Sequence, residues 1–316
     1  MDPLSDVLRA VRLDGAFFYY VEARHPWAVQ AVSAVQLVPR VLPEAEHLIS
    51  YHILIEGLCW AGLADEPPVA LRPGDAIVFP HGDAHGLSSS EGQRLDPELI
   101  EAAPERYLET VRIGGESGAR AAFVCGFLGC DLRPFNPVLA GLPRLLHVAG
   151  VTQGWLSEFP RQLVTESRQP SAGGVSVLTR MAELMFLEVL RRHLDAAAPL
   201  PSGWLAGLRD PVVAPVLTLL HERPAHPWTL SELAQKAATS RTVLAERFSQ
   251  TVGVPPMHYL AQWRLQLAAE QLATGAENVG TIGLRVGYES EAAFSRAFKR
   301  ATGQSPATWR RSKRDR

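Results

Sequence analysis

Two short stretches of the sequence, fifty residues apart, carry side chains whose chemistry suits an anionic, hydrogen-bonding surface such as a nucleic acid. Arginine and lysine bind phosphate or the acceptor edge of guanine, whereas hydroxyl and carboxylate groups reach other base edges. Arg241 and Arg296 are predicted to contact bases or phosphates. The remaining predictions are phosphate contacts for Ser240, Ser290 and Lys299, and base-edge contacts for Thr242, Glu246, Glu291 and Ser295. The alternative for all of them is a solvated helix face.

These polar positions belong to a pattern that occurs twice in the chain. The first copy contains Leu244, Phe248, Gly253, Pro256 and Tyr259, and the second copy repeats the pattern fifty residues later as Phe294, Phe298, Gly303, Pro306 and Trp309. Repetition of apolar, glycine and proline positions at one offset indicates a duplicated structural unit.

Each copy is typical of a helix-turn-helix. In the first copy, Thr229 and Glu232 form a capping box, and Ser240 can cap the second helix. Gly253 supplies a left-handed stop. The pattern predicts that Val243 is buried with Leu244 and Phe248. The second copy predicts an apolar face at Ile282, Leu284 and Val286, a turn at Gly287 and a cap at Ser290. A single helix, ending at Gly275, is expected between the copies.

The two ends of the chain differ in net charge. Residues 205–316 hold 15 basic and 9 acidic residues, a net charge of +6, whereas residues 1–204 have a net charge of −8. A basic module is expected where a protein meets phosphate, so the charge favours DNA binding over a helical bundle with purely structural caps. Two recognition helices about 34 Å apart would enter successive major grooves of one DNA face.

The carboxyl-terminal stretch resembles the DNA-binding domain of AraC-type transcription regulators. The residues that carry the resemblance are Gly287-Tyr288, Ser290, Phe294 to Arg300, Gly303-Gln-Ser-Pro306 and Trp309-Arg310. The sequence departs from the family pattern at Ala238, where the first turn usually has glycine, and at Gly283, where alanine is usual. The resemblance implies a regulator of transcription that binds double-stranded DNA, with RNA polymerase as a further partner.

The amino-terminal half has a different sequence pattern, in which short runs of β-branched and aromatic residues alternate with turns that contain proline and glycine. Such runs favour an antiparallel barrel or sandwich. The segment Gly74 to His85 has the form G-x5-P-x-G-x2-H, which resembles the second motif of cupin barrels, although Ser89 replaces the usual asparagine. His52 to Gly57 is a partial first motif, with Ser50 at its earlier histidine position. The resemblance implies a cupin-like sensor domain that binds a small-molecule effector.

The cupin resemblance also implies a set of candidate ligand-binding residues, His52, Glu56 and His85. A metal site could use His52, His85 and the thiolate of Cys125, and imidazole with thiolate would suit zinc or another divalent metal. Three alternatives stay open. The side chains could be polar groups that line a metal-free barrel, the barrel could be a metal-dependent enzyme with a DNA-targeting appendage, or Cys125 and Cys130 could serve a metal or redox sensor.

These observations predict an α+β protein with a cupin-like barrel at 1–150, a helical connector at 151–204 and an all-α DNA-binding domain at 205–316. The helix expected from Val175 to Leu190 is apolar over more than half of its circumference, so it packs either within the chain or against a second copy in a homodimer. Residues 88–119 are predicted to form a mobile loop or a lid over the barrel mouth. No signal peptide or membrane span is recognised, which indicates the cytoplasm. The expected function is effector-controlled transcription regulation without catalysis.

Overall fold

The computed structural model describes residues 2–10, 13–91, 108–131, 134–151, 154–169, 171–195 and 202–314. The chain forms two compact units. The β unit contains Leu13–Asp131 and Pro143–Ala197, and the helical unit contains Met1–Arg12, Leu132–Leu142 and Ala198–Arg316. The predicted α+β class is confirmed. The division differs from the predicted boundaries at 150 and 204, because residues 1–12 and 132–142 group with the carboxyl-terminal helices.

Within the described residues, ten strands and three α-helices make up the β unit. The strands are β1 Leu13–Arg24, β2 Ala28–Ala31, β3 His47–Glu56, β4 Cys59–Leu63, β5 Val69–Leu71, β6 Ala76–Phe79, β7 His85–Ser88, β8 Thr110–Gly114, β9 Arg120–Cys130 and β10 Leu146–Val148. The helices of the first two-thirds of the chain are α1 Pro3–Ala10, α2 Ala34–Val41, α3 Pro137–Ala140, α4 Glu158–Arg168 and α5 Gly174–Asp195, of which α1 and α3 group with the helical unit. The predicted loop or lid at residues 88–119 is wrong in part, because Thr110–Gly114 forms β8 and pairs with β1. Residues 92–107 of that prediction lie outside the described residues.

The strands form two sheets. The larger sheet has the order β10-β6-β3-β9-β1-β8, and the smaller has the order β2-β7-β4-β5. Neighbouring strands are antiparallel except for the parallel pair of β1 and β8. Because side chains alternate along a strand, one face of β1 carries Phe17, Tyr19 and Val21 into the core between the sheets. The other face carries Phe18, whose ring packs edge-on against Phe159 of α4.

Eight helices follow in the described part of the helical unit. They are α6 Trp204–Gly207, α7 Val213–Glu222, α8 Leu230–Lys236, α9 Arg241–Val252, α10 Pro256–Thr274, α11 Val279–Arg285, α12 Glu291–Thr302 and α13 Pro306–Arg314. The pairs α8–α9 and α11–α12 are the two predicted helix-turn-helix units. The single helix α10 joins them and has 19 residues, which makes it about 28 Å long at 1.5 Å per residue. Within the described residues, no helix is long and apolar enough to cross a membrane.

The predicted helix boundaries are confirmed by hydrogen bonds. The hydroxyls of Thr229, Ser240 and Ser290 each accept a bond from the backbone N–H three residues later. Gly253 and Gly303 adopt left-handed conformations that end α9 and α12. These side chains satisfy N–H groups that the first turn of a helix leaves without a partner, which explains why caps could be read from sequence.

Two apolar positions differ from the prediction. Val243 is 46% exposed and Leu284 is 59% exposed, although both were predicted to be buried. In α9 the core is reached by Leu244 and Phe248, one turn apart, and Val243 is rotated by about 100° from Leu244 on a helix of 3.6 residues per turn. The buried face of α9 is therefore narrower than the apolar face that the sequence pattern predicted.

The turns of the two repeats provide a matched test of backbone strain. Ala238 has a φ of 50°, and the equivalent Gly287 has a φ of 95°. A left-handed conformation costs a residue with a Cβ atom about 1–2 kcal/mol, partly offset by the larger entropy that glycine loses on folding. Ala238→Gly is therefore expected to raise the free energy of unfolding by about 0.5–1 kcal/mol.

The reciprocal change, Gly287→Ala, is expected to lower the free energy of unfolding by at least about 1 kcal/mol. The alanine would be strained in the left-handed conformation, and its Cβ atom would also clash with neighbouring atoms. A Cβ at this position would lie 2.8 Å from Ala225 Cα and 2.9 Å from the guanidinium carbon of Arg264. Urea denaturation of the full chain would measure both variants. A loss of stability in Ala238→Gly would contradict the strain argument.

Candidate functional site

The two predicted recognition helices, α9 and α12, are 12 residues long, and each presents a polar face. The predicted contact residues are exposed with one exception, the half-buried Ser295; the exposed ones are Ser240, Arg241, Thr242, Glu246, Ser290, Glu291, Arg296 and Lys299. The hydroxyl oxygens of Ser240 and Ser290 already accept backbone N–H groups, so each hydroxyl keeps its own O–H for donation to a phosphate.

Some cationic side chains of the helical unit are paired with carboxylates, and others are not. Arg247 is paired with Asp210 at 2.8 Å, and Arg285 is paired with Glu277 at 2.6 Å. Within the described part of the chain, Arg241, Arg296 and Lys299 form no ion pair. Their positive charge is therefore available to an external anion.

One predicted base-edge residue is directed back into its own repeat. The carboxylate of Glu291 lies beside Gly280 in the first turn of α11, so close that a Cβ on Gly280 would be 2.6 Å from Glu291 Oε2. In this position the carboxylate contacts its own module.

A cavity of about 280 Å³ lies between the two sheets of the β unit. Its wall is largely apolar, with side chains from β1, β2, β7, β8 and β9, and from α2 at one side. Three buried polar side chains, Tyr19, His52 and Cys125, are part of the wall. They are cross-strand neighbours, because Cys125 of β9 is in register with Tyr19 of β1 on one side and with His52 of β3 on the other. Arg40 and Gln36 of α2 also line it and are exposed to solvent.

These polar groups belong to a hydrogen-bonded chain that spans the two sheets. His52 Nδ1 is 2.8 Å from Cys125 Sγ, and His52 Nε2 is 2.7 Å from His85 Nε2. His85 Nδ1 is 2.8 Å from the carbonyl oxygen of Asp83. The hydroxyl of Tyr19 is hydrogen-bonded to Cys125 at the other end. We call these five residues, Tyr19, Cys125, His52, His85 and Asp83, the polar chain.

The carbonyl of Asp83 sets the direction of every proton in the polar chain. A carbonyl only accepts, so His85 Nδ1 carries the proton and donates, and Nε2 of the neutral ring accepts from His52 Nε2–H. His52 Nδ1 then accepts the S–H of Cys125, and Cys125 Sγ accepts the O–H of Tyr19. Burial supports this neutral arrangement, because it lowers the pKa of His85 to about 4 and holds the pKa of His52 well below its ordinary value.

The predicted metal site is not formed by the described residues. Cys125 and His85 contact opposite edges of the His52 ring, so their donor atoms cannot converge with one His52 nitrogen on a single ion. No group of three or more histidine, cysteine, aspartate or glutamate side chains is arranged to hold a metal among the residues described. The donor set therefore does not fit zinc or another divalent metal.

Glu56, predicted as a ligand-binding residue, is outside the cavity. Its side chain is 55% exposed and lies 3.7 Å from Arg120. The pairing of β3 with β9 shifts register between Leu54 and Glu56, and this irregularity ends the inward alternation of β3 before the glutamate is reached. His52 and His85, by contrast, are brought together in the core.

The cysteines do not support a redox sensor. Cys125 and Cys130 are free, buried, and separated by an odd number of positions along β9, which places them on opposite faces of the sheet. Burial raises the pKa of both thiols well above the ordinary value. Since the thiolate is the reactive form, both groups are expected to be chemically inert.

Two protein families match separate parts of the chain. Residues 2–195 match the cupin family, and residues 233–312 match a helix-turn-helix domain family. The chain is 34% identical to an AraC-like transcription regulator of Streptomyces antibioticus, over 98% of this chain and 99% of the relative. It is 28% identical to the transcriptional regulator AlkR of Acinetobacter baylyi, over 98% of this chain and 99% of that relative.

Among solved structures, the chain resembles the DNA-binding domain of AdpA in complex with a target DNA. The similarity has 30% identity and a TM-score of 0.32, and it covers 34% of this chain and 95% of that chain. The relatives found by sequence are transcription regulators and not enzymes. The chain therefore belongs to the AraC family of DNA-binding transcription regulators, with an amino-terminal cupin domain and a carboxyl-terminal helix-turn-helix domain.

Proposed function

We propose that a small-molecule effector binds in the cavity of the β unit and controls sequence-specific DNA binding by the helical unit. The observation that supports this proposal is the 280 Å³ cavity, which is mostly apolar and carries a few polar groups at defined positions. Such a combination is typical of small-molecule sites. In this proposal the protein acts in the cytoplasm, on double-stranded DNA and together with RNA polymerase.

A cavity-filling variant tests the effector site. Ala31 lines the cavity, so Ala31→Trp is expected to occupy the space that a ligand needs. A screen would seek compounds that raise the melting temperature of the wild type, because a ligand that binds only the folded state stabilises it by mass action. A compound that stabilises the wild type and the variant equally binds elsewhere. For regulation, the compound must also change DNA affinity in the wild type, which requires different affinities for the two functional states.

On the DNA side, Arg241 and Arg296 are proposed to contact guanine or phosphate. Each change to alanine is expected to cost about 1–3 kcal/mol of binding free energy if the contact with guanine is bidentate, with relaxed preference at one base pair. If the arginine instead contacts a phosphate, its loss would weaken binding to all sequences by a similar amount. It would also reduce the salt dependence of binding by about one counterion. Fluorescence anisotropy with a selected binding sequence, at several salt concentrations, separates the two outcomes.

Arg247→Ala is the matched control, because Arg247 lies on the same helix as Arg241 and is paired with Asp210 within the unit. This variant should retain DNA affinity within about twofold, as expected for an arginine already paired within the protein. Unchanged affinity and sequence preference in both Arg241→Ala and Arg296→Ala would remove the assignment of these two residues.

We also propose that α5 forms a homodimer contact. The helix buries one face, which includes Leu178, Met185 and Val189, but Val177 and Leu184, seven residues apart, are 51% and 45% exposed. Residues at this spacing lie on one side of a helix and can pack against the same side of a second copy.

Leu184→Glu is expected to shift the protein from dimer to monomer in sedimentation velocity, since an unpaired carboxylate would enter an apolar contact. Val35→Glu is the control, because Val35 is 83% exposed on α2 and is equally apolar. If wild type and Leu184→Glu sediment identically, α5 packs only within the chain.

A further inference from the structure

We infer that the effector is a neutral, mostly apolar molecule, about the size of two fused rings, with one O–H or N–H group that donates to the hydroxyl oxygen of Tyr19. The inference rests on the proposed function, because it concerns the same cavity. It adds the chemical class of the ligand and the atom that recognises its polar group.

Cavity volume sets the size of the molecule. The cavity measures about 280 Å³. An apolar cavity of about 150 Å³ holds one benzene ring, so a space nearly twice as large accommodates about two fused rings or an aliphatic body of similar volume.

The buried wall selects against charge. Among the described residues that line the cavity, Arg40 alone carries a charge at neutral pH, and it is exposed on α2. His52 is neutral in the polar chain, and burial raises the pKa of both Tyr19 and Cys125 above their ordinary values. An ion placed against Tyr19, His52 and Cys125 would lose its hydration without a counter-charge beside it, because the charged lining residue, Arg40, is exposed to solvent on α2. A neutral molecule is therefore favoured at this buried part of the wall.

The direction of the hydrogen bonds in the polar chain determines whether the ligand donates or accepts at Tyr19. His52 and Cys125 each donate one hydrogen bond and accept another within the polar chain, so both already have their partners inside the protein. Tyr19 is the first member of the chain and only donates in it. Its oxygen therefore retains lone pairs for a further bond, and its side chain lines the cavity. The direction cannot reverse while both histidines are neutral, because the carbonyl of Asp83 has no proton to give.

Four probes on one ring system separate these properties. 2-Naphthol carries a donor, 2-methoxynaphthalene keeps the oxygen but lacks the donor, naphthalene has neither, and 2-naphthoate is an anion. Titration calorimetry with the full-length protein at pH 7 is expected to show 2-naphthol binding about threefold to tenfold more tightly than 2-methoxynaphthalene, the usual net effect of one hydrogen bond. 2-Naphthoate is expected to bind most weakly.

Tyr19→Phe is expected to reduce the affinity for 2-naphthol to that for naphthalene, while the affinity for naphthalene stays within about twofold, because the substitution removes only the oxygen. Ala31→Trp should abolish binding of every probe. If Tyr19→Phe does not fold, the ranking of the four probes on the wild type still decides the matter.

Several results would overturn the inference. They are equal affinity for 2-naphthol and 2-methoxynaphthalene, a preference for 2-naphthol that persists in Tyr19→Phe, tightest binding of 2-naphthoate, and binding that survives Ala31→Trp. Absence of binding by all four probes would also overturn it. Equal binding of all four probes that Ala31→Trp abolishes would reject the ligand class but keep the cavity as the effector site, so the two proposals fail separately.

Discussion

Replacing Phe298 by alanine is expected to lower the free energy of unfolding of the helical unit by about 3–5 kcal/mol. Phe298 is completely buried on α12 and belongs to the core of the second repeat. Its ring centroid lies 5.6 Å from that of Phe294 and 5.7 Å from that of Trp309. The substitution removes the apolar surface of the ring and also these aromatic contacts.

The loss should be visible in urea denaturation followed by tryptophan fluorescence, since Trp309 contacts the altered site. Hydrogen exchange in α12 localises the effect. Arg300→Ala is the control, because Arg300 is exposed on the same helix and its loss should change stability by no more than about 0.5 kcal/mol. A cost below about 1 kcal/mol for Phe298→Ala would mean that the second repeat is not packed around this ring.

Local signals explain why the helical unit could be predicted closely. Thr229, Ser240 and Ser290 act on N–H groups three residues away, and Gly253 and Gly303 end helices through their own conformation. Each of these interactions is complete within one or two helix turns. The sequence therefore contains all of the information that places them, and duplication at one offset supplied an independent check.

Exposure was harder to predict than helix position. Val243 and Leu284 fit an apolar pattern but are largely exposed, because burial depends on which neighbouring helices reach a face. The departure at Gly283 has a packing reason that is also tertiary: a Cβ there would lie 2.9 Å from the ring of Phe294. Neither property follows from the periodicity of a single helix.

The polar chain illustrates a further limit. His52 and His85 were recognised from the cupin motifs, but Tyr19 carried no signal of its own, since it stands in an aromatic run that any core strand could contain. Its role depends on the register that aligns it with Cys125 across two strands. Glu56 was misplaced for a related reason, because a shift in the pairing of β3 and β9 is not written in the motif.

Two buried polar contacts were also missed. Asp75 accepts bonds from Arg72 N, Gly150 N and His147 Nε2, so these contacts anchor the segment that contains His147 and Gly150. Gln266 on α10 accepts the N–H of Phe135 and donates to the carbonyl of Ala10. Position 266 follows Trp263 by three residues on the buried face of α10, so a glutamine there could have been read as a polar group with distant partners.

The helical unit is expected to lose about 2 kcal/mol of stability between pH 8 and pH 5, and about 3 kcal/mol by pH 4, through His221 alone. Trp204 Nε1 donates to Tyr259 Oη at 2.6 Å, and the Tyr259 hydroxyl then donates to His221 Nε2 at 2.7 Å. His221 Nε2 must be unprotonated to accept this bond. Burial lowers the pKa of His221 to about 3. The folded protein therefore resists a proton that the unfolded chain accepts near pH 6.5.

Between these two pKa values the unfolded state binds more protons, so stability is full above pH 6.5 and falls as the pH decreases toward 3. The carboxylate of Asp6, 3.9 Å from His221 Nδ1, would favour the protonated ring, but burial raises the pKa of Asp6 and weakens that effect in acid. His221→Gln keeps an acceptor for Tyr259 and removes the titrating group. Hydrogen exchange of α10 in both proteins at pH 8 and pH 5 should show a smaller decrease of protection in the variant. Equal decreases would mean that the ring is already protonated in the folded protein or that other groups control its stability in acid.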